Sequence, residues 1–450
     1  MCVGCGGCSV RTSGRVPVTI GRFGVYQADI SRASADDLTA ASRVCPMSDD
    51  CPDEDHLAAA RFAGQREDPR IGRHLQVLAG RITDDHELQA SSSGGLTSWT
   101  LQQLLATGLV HGVIHVGRGE SSLFEYRIST RVEDILNNRK SQYSSTTMAD
   151  VLGGIRGDGK KYAIVGVPCF IKAARALSQE LPDLGEQLTF FVGLVCGHLK
   201  SRFFAESLGW QAGVEPRDLE SIDFRVKNPA RESNDYDYAV VSHSTGDRAV
   251  RSVRSTIDGN WGYGAFQPEA CNFCDDIFAE TADIVFGDAW LPAYTDDWRG
   301  TNVVVTRNET LSTLLRKGAA EGALQLEELS ADEAAASQGG NFRHRRAGLQ
   351  VRLADDIAEG KSVPRKRESP GYASVTRGRV ALIRHRRLMS RLSLEAFATA
   401  RAENELSLYS GPMNSAISTY KLLDSRSRGV VRYAAAKLRG IARRLRPPRG

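Results

Sequence analysis

The chain opens MCVGCGGC, placing Cys2, Cys5 and Cys8 three residues apart, and a fourth thiol follows in the Cys-Pro pair at Cys45. A C-x2-C-x2-C run completed by C-P is the pattern of bacterial-type iron–sulfur sites, where thiolates supply the iron ligands. Glycines at 4, 6 and 7 permit the tight wrapping such a loop needs and let backbone amides face the sulfides. Zinc is the competing occupant, but it normally takes its ligands as two separated pairs. The wider C-x3-C-x2-C of radical enzymes that cleave S-adenosylmethionine does not occur in the sequence. A second set lies deeper: Cys169 in VGVPCF, Cys196 in GLVCGH, and Cys271 with Cys274 in EACNFCDD. The first two each follow an apolar run, where a sheet presents ligands to a crevice, and the C-x2-C pair is a loop clamp for iron or zinc. Taken singly, Cys169 and Cys196 fit inert core cysteines equally well. Cys51 is left over and is assigned no role.

These thiols must be positioned by a succession of elements. GGLTSWTLQQLLATG reads as a helix and HGVIHVG as a strand. KYAIVGVP, CFIKAARALSQEL, LTFFVGLVCG and HLKSRFFAESLGW continue as strand, helix, strand and helix, and TADIVFGDA and TNVVVTRN add short strands. Strands alternating with helices predict a layered α/β sheet with ligands at its strand ends. The stretch 308–360 is mostly helical, and GKSVPRKRESPGY (360–372) has linker composition. Three units are expected: an N-terminal iron–sulfur segment (1–60), a central domain (61–360) and a basic, mainly helical C-terminal extension (361–450).

With 450 residues, 41% hydrophobic and 25% charged, the chain is long enough for more than one core and has the balance of a soluble globular protein. No apolar run reaches the roughly 18 residues that cross a bilayer, and no secretory signal precedes the cysteines. A reducing, cytoplasmic setting is therefore expected, in which nine cysteines point to metal rather than disulfides. The net charge of +4 conceals a split: 361–450 holds 21 Lys and Arg against 5 Asp and Glu, whereas the first 360 residues hold 37 against 49. A basic tail on an acidic body calls for an anionic partner. VVRYAAAKLRGIARRL, an apolar stripe among arginines, predicts peripheral contact with an anionic membrane. Nucleic acid is disfavoured, because the body is acidic and the tail lacks interleaved aromatics.

Several further phrases carry a resemblance. CVGCGGC, VCPMSDDCPDED, SSGGLTSWTLQQLLATGLVHGVI, KSQYSSTTM, YAIVGVPCFIKAAR, GLVCGH, DFRVKN and CNFCDDIFAETADIVFGDAW follow one another over about residues 1–310. In these the chain resembles the family of coenzyme F420 hydrogenase/dehydrogenase beta subunits, which includes 7-hydroxymethyl chlorophyll a reductase. The resemblance implies a flavoprotein binding FAD, with one or two [4Fe–4S] clusters, that passes electrons between ferredoxin or a partner in a complex and coenzyme F420. The fold it implies is a ferredoxin-like iron–sulfur segment on a mixed-sheet flavin domain. Many relatives carry two N-terminal cysteine motifs; one is present here, so one N-terminal cluster is expected.

The resemblance also suggests cofactor contacts. Ser93, Gly94 and Gly95 precede a helix, where small residues let amides approach a phosphate or flavin ring. Lys140, Ser141, Tyr143 and Ser145 offer a cation, hydroxyls and an aromatic face, and Asp288 ends the strand ADIVF with a carboxylate. Their plain alternatives are a helix cap, a polar surface loop and a turn cap. His198 and Lys200, just past Cys196, are candidates for proton donor or anion contact, although lone residues of this kind are more often structural. Hydride transfer through a flavin requires no protein nucleophile, and no catalytic residue is assigned. The leading expectation is an iron–sulfur flavoprotein oxidoreductase linked to F420 or ferredoxin. A ferredoxin-dependent reductase of a small molecule, such as a glycan or lipid-linked precursor, and a non-catalytic electron-transfer subunit stand beside it. A zinc-stabilised binding protein with a nucleic-acid tail is the redox-silent alternative.

Overall fold

The computed structural model describes residues 1–120 and 122–428. An eight-stranded mixed sheet forms its centre. In spatial order its strands are Leu324–Glu328, Gln76–Ile82, Asn302–Thr306, Ile284–Asp288, Leu188–Leu194, Tyr162–Gly166, Gly112–Arg118 and Phe124–Ser129. The four from Ile284–Asp288 to Gly112–Arg118 pair in parallel, and the flanking pairs are antiparallel. Strands covered on both faces need apolar side chains throughout, and YAIVG at Tyr162–Gly166 is buried at every position. The alternation read from 87–310 is thus present as a mixed α/β sheet.

One face is covered by the helix Leu96–Ala106, whose Leu96, Leu101 and Leu104 share a core with Leu311 and Leu315 of Glu309–Ala320. The other is covered by Pro168–Glu180, which starts on a proline with φ suited to a first turn and buries Phe170, Ile171, Ala174 and Leu177. The N-terminal segment lies on this second face: Val3, Val10, Val44 and Met47 belong to the same core. It consists of the short helices Gly7–Arg11, Ala35–Ser42 and Glu54–Arg61 and the hairpin Val18–Ile20 with Tyr26–Ala28. Beside the large sheet stands a three-stranded antiparallel one, Leu219–Val226, Asp237–Ser242 and Arg248–Ser252, which the sequence reading passed over.

The described part of the C-terminal extension is no detached tail. Arg377–Glu403 and Ser407–Arg428 form a helical hairpin turning at Asn404 (φ 53°), with Gly378 near the start of one helix against Ser427 near the end of the other. Phe397 is fully buried, its ring 5.1 Å from Phe203, 5.5 Å from Phe266 and 5.4 Å from Tyr409. The hairpin therefore closes the core beneath the three-stranded sheet. The stretch with linker composition is pinned as well, by Val363 against the core and by charge. Arg365 donates to the Asp49 carbonyl at 2.7 Å, and Arg367 grips Glu280 with bonds of 2.8 and 2.9 Å. VVRYAAAKLRGIARRL, expected to meet a membrane, lies outside the described residues, and no described helix is long and apolar enough to cross a membrane.

Candidate functional site

The N-terminal thiols gather around the helix Gly7–Arg11. The chain can make this wrap only with glycine at two places: Gly6 has φ 90°, and a Cβ on it would lie 2.5 Å from Thr147 Oγ1 and 2.7 Å from the Ala149 nitrogen. Gly4 (φ 75°) donates its N–H to Cys2 Sγ at 3.3 Å. Backbone N–H groups of Gly7 and Met47 likewise face Cys5 and Cys45. Burial pushes Cys8 up to about 11, and the charges of Cys2 and Cys45 add to it. Cys5 is raised further by burial, then by Cys45, Cys8 and Cys2. Cys45 thus joins the three N-terminal thiols as one outer tetrad. Cys5 is buried, and Cys2, Cys8 and Cys45 are half-buried.

The four deeper thiols also meet. Cys169 sits in the first turn of Pro168–Glu180, after the strand Tyr162–Gly166, and Cys196 directly follows Leu188–Leu194. Cys271 and Cys274 come from the tight turn at Glu269–Phe273, and Cys271 Sγ accepts the Leu199 N–H at 3.3 Å. Burial raises Cys271 to about 11 and Cys196 to about 12. Cys169 is raised by burial and then by Cys274, Cys271, Cys196 and also Cys5 of the outer set, so the two sets lie within electrostatic reach of each other. Among the described residues no three His, Cys, Asp or Glu side chains converge tightly enough for a single metal ion. Both tetrads are open arrangements. Cys51 is buried near Lys172 and Glu54, which pair at 3.0 Å, and of the other thiols it lies within electrostatic reach of Cys45.

A cavity of about 340 Å³ opens at the carboxyl ends of the parallel strands. Cys196 belongs both to the deep tetrad and to the cavity wall. Of the residues proposed as cofactor contacts, Ser93, Gly95, Lys140, Ser141, Tyr143 and Asp288 line it. Ser93 and Gly95 stand at the N-terminus of Leu96–Ala106, beside Ser91 and Ser92, and the Ser141 N–H donates to Ser92 Oγ at 2.8 Å. Tyr143 meets Trp261 edge-on at 4.9 Å. Two of the polar groups are already engaged: Lys140 Nζ lies 2.6 Å from Asp223, and Asp288 takes two bonds from Arg225 at 3.1 and 3.2 Å.

Gly94 and Ser145 are not among the lining residues. A Cβ on Gly94 would lie 2.5 Å from the Gly80 carbonyl, so its role is close approach to a strand. Ser145 Oγ accepts the Tyr26 N–H at 3.0 Å and joins the loop to the N-terminal segment. His198 and Lys200 both line the cavity. The His198 ring is 4.7 Å from Trp261, its Nε2 is buried without a partner, and burial followed by Lys200 holds it well below the usual imidazole range. Lys200 donates to the Ala265 carbonyl at 2.6 Å, and burial lowers it against the opposing pull of Asp258.

Sequence reasoning missed Arg225, Lys227, Trp261 and Arg345. Arg225 and Lys227 fall in the phrase DFRVKN and were within reach of it. Lys227 donates to the Ser93 carbonyl at 2.9 Å, bracing the serine turn, and burial with Arg225 and Lys140 lowers it to about 7. Trp261 and Arg345 carry no local motif.

The fold and the site define an α/β protein whose parallel strand ends bring cysteines to the wall of a cavity. Residues 77–153 match the family model for the N-terminal part of coenzyme F420 hydrogenase/dehydrogenase beta subunits, and residues 159–332 match the model for their C-terminal part. The chain belongs to the family of coenzyme F420 hydrogenase/dehydrogenase beta subunits. It is 24% identical over 262 residues to the coenzyme F420 hydrogenase subunit beta of Methanosarcina barkeri, covering 57% of this chain and 82% of that protein. It is 27% identical over 158 residues to one of the subunits of the F(420)H(2) dehydrogenase of Methanosarcina mazei, covering 34% of this chain and 39% of that one. A chain in a solved structure of the F420-reducing [NiFe] hydrogenase complex from Methanosarcina barkeri shares the fold, with a TM-score of 0.51 at 19% identity, over 66% of this chain and 98% of its own.

Proposed function

We propose that the chain is an electron-transferring oxidoreductase subunit that holds two [4Fe–4S] clusters on its two thiol tetrads and FAD in the cavity, and that exchanges electrons with coenzyme F420. The single observation that carries this is Cys196, which is at once a member of the deep tetrad and a wall of the cavity. The residues suit the groups. Each tetrad offers four thiols with backbone N–H groups aimed at sulfur, as cluster loops require. The cavity is at the low end of the ~300–1,000 Å³ range of ligand sites. It pairs a serine-rich helix N-terminus, fit for phosphate, with the aromatic faces of Tyr143 and Trp261. His198 Nε2, buried and unpartnered, is placed to hydrogen-bond a ring edge.

When bound, a flavin takes or gives two electrons together and exchanges them singly with a neighbouring cluster. The chain's own part is to hold the ring against Cys196, to exclude water with Trp261 and Tyr143, and to anchor the phosphates at Ser91, Ser92 and Ser93. F420 as the second substrate is the finer part of the proposal, supported by the names of the two Methanosarcina relatives. Protein purified without oxygen should contain about eight irons and eight sulfides per chain, with one flavin. Cys45→Ala and Cys271→Ala should each remove about half of the iron. Zinc in place of iron, or no flavin, would overturn the reading; failure to oxidise added reduced F420 with an artificial electron acceptor such as methyl viologen or a quinone, read as no return of its visible absorbance, would overturn only its substrate.

A further inference from the structure

Three arginines stand behind the deep tetrad, and all lie beyond residue 332, where the family match ends. Arg345 is fully buried. It donates to the Gly197 carbonyl at 3.0 and 2.7 Å and to the Cys196 carbonyl at 3.2 Å, and its Nη2 is 3.9 Å from Cys196 Sγ. Its Nη1 is buried with no partner. Arg352, also buried, donates to the Asn272 carbonyl at 2.8 Å, next to Cys271, and to the His344 carbonyl at 2.9 Å. Arg386, from the long helix Arg377–Glu403, donates to the Gly262 carbonyl at 2.8 Å and lies 2.9 Å from the His344 ring. These guanidiniums bond carbonyls and a histidine, and among the described residues none of them has a carboxylate partner.

Buried positive charge without a counter-anion is costly. The missing anion has an obvious seat. A [4Fe–4S] cluster with four thiolates carries roughly two negative charges when oxidised and one more when reduced.

We propose that Arg345, Arg352 and Arg386 form a cationic cradle that supplies the counter-charge of the deep cluster and raises its reduction potential, with Arg345 as the principal positioning residue. The inference rests on the deep-cluster reading above. In the step concerned, a reduced carrier loses one electron and the cluster gains it, with no bond made and no proton moved. Because the reduced form carries more negative charge, fixed guanidinium charge this near favours it. Arginine stays protonated, so the bias persists across physiological pH. The part of the chain beyond the family match thus acts on the redox site through the charge it places there.

The test is an anaerobic, mediator-controlled redox titration of the full-length protein, followed by electron paramagnetic resonance, taking as the deep cluster's signal the one that Cys271→Ala removes. At the wild-type midpoint, Arg345→Gln is expected to lower the reduced-to-oxidised ratio at least tenfold, which is about 59 mV for a one-electron couple. Arg345→Lys, which keeps the charge but not the fork, should recover most of the loss. Retained iron with an unchanged midpoint in Arg345→Gln would overturn the proposal. If that variant sheds iron, Arg386→Gln decides, since it touches no thiol: a lowered ratio supports the cradle and an unchanged one sinks it. Wild-type iron content in Cys271→Ala would instead remove the deep cluster itself, a failure distinguishable from an unmoved potential.

Discussion

Asp288 lines the cavity and is held from behind by Arg225, with side chains only 19% and 4% exposed. Taking away the carboxylate leaves a guanidinium buried without its partner, a change that costs about 3–5 kcal/mol. Asp288→Ala should therefore lower the stability read from urea unfolding by that amount, and Asp288→Leu combined with Arg225→Met should restore most of it. A double variant as unstable as the single one would show that the pair is not the source. The same residue illustrates what the sequence made legible. A carboxylate ending a strand places itself at a sheet edge, so Asp288 could be found, but not that its charge was spoken for by Arg225. Ser145 looked like its neighbours in KSQYSS because loop spacing does not tell which donor a hydroxyl will receive. Arg345 was out of reach for a plainer reason: it stands 149 residues from Cys196, in a helix of ordinary composition.

At the scale of elements, the parallel strands could be read because burial on both faces demands unbroken apolar runs, and thiols at their ends follow from that geometry. The three-stranded sheet escaped because its last strand, Arg248–Ser252, is mostly exposed and charged and shows little pattern. The break read at 360–372 is present as a segment without helix or strand, but its anchoring by ion pairs was not legible, since charge looks like solvent-exposed chain in a sequence. The helical hairpin after it was legible as helix but not as core. Phe397 holds it there against Phe203, Phe266 and Tyr409. Phe397→Ala should cost about 3–5 kcal/mol, read from urea unfolding. A loss below about 1 kcal/mol would mean that the hairpin is docked mainly by other contacts. Since Arg386 rides on the same helix, the potential of the proposed deep cluster should fall along with that stability.

For the whole molecule, the order of the parts carries the argument. The outer tetrad is half-exposed, and its buried member Cys5 acts on Cys169 of the deep tetrad. Tyr126 stands in the field of both Cys169 and Cys5 while its ring borders the cavity. Cys196 then completes the line from surface to ligand. Such a series makes the two ends separable. On the proposed reading Cys45→Ala removes the outer cluster, and a one-electron protein donor such as reduced ferredoxin should then reduce the flavin no faster than background, because Cys196 and Cys271 of the deep tetrad are buried. On the same reading reduced F420 delivers its electrons at the cavity and should still reduce the flavin at the wild-type rate. Stopped-flow absorbance under anaerobic conditions reads both. Cys271→Ala should break the ferredoxin route as completely as Cys45→Ala, since a series fails at any link. Wild-type ferredoxin rates in Cys45→Ala would put electron uptake elsewhere on the surface and leave the outer tetrad a structural clamp.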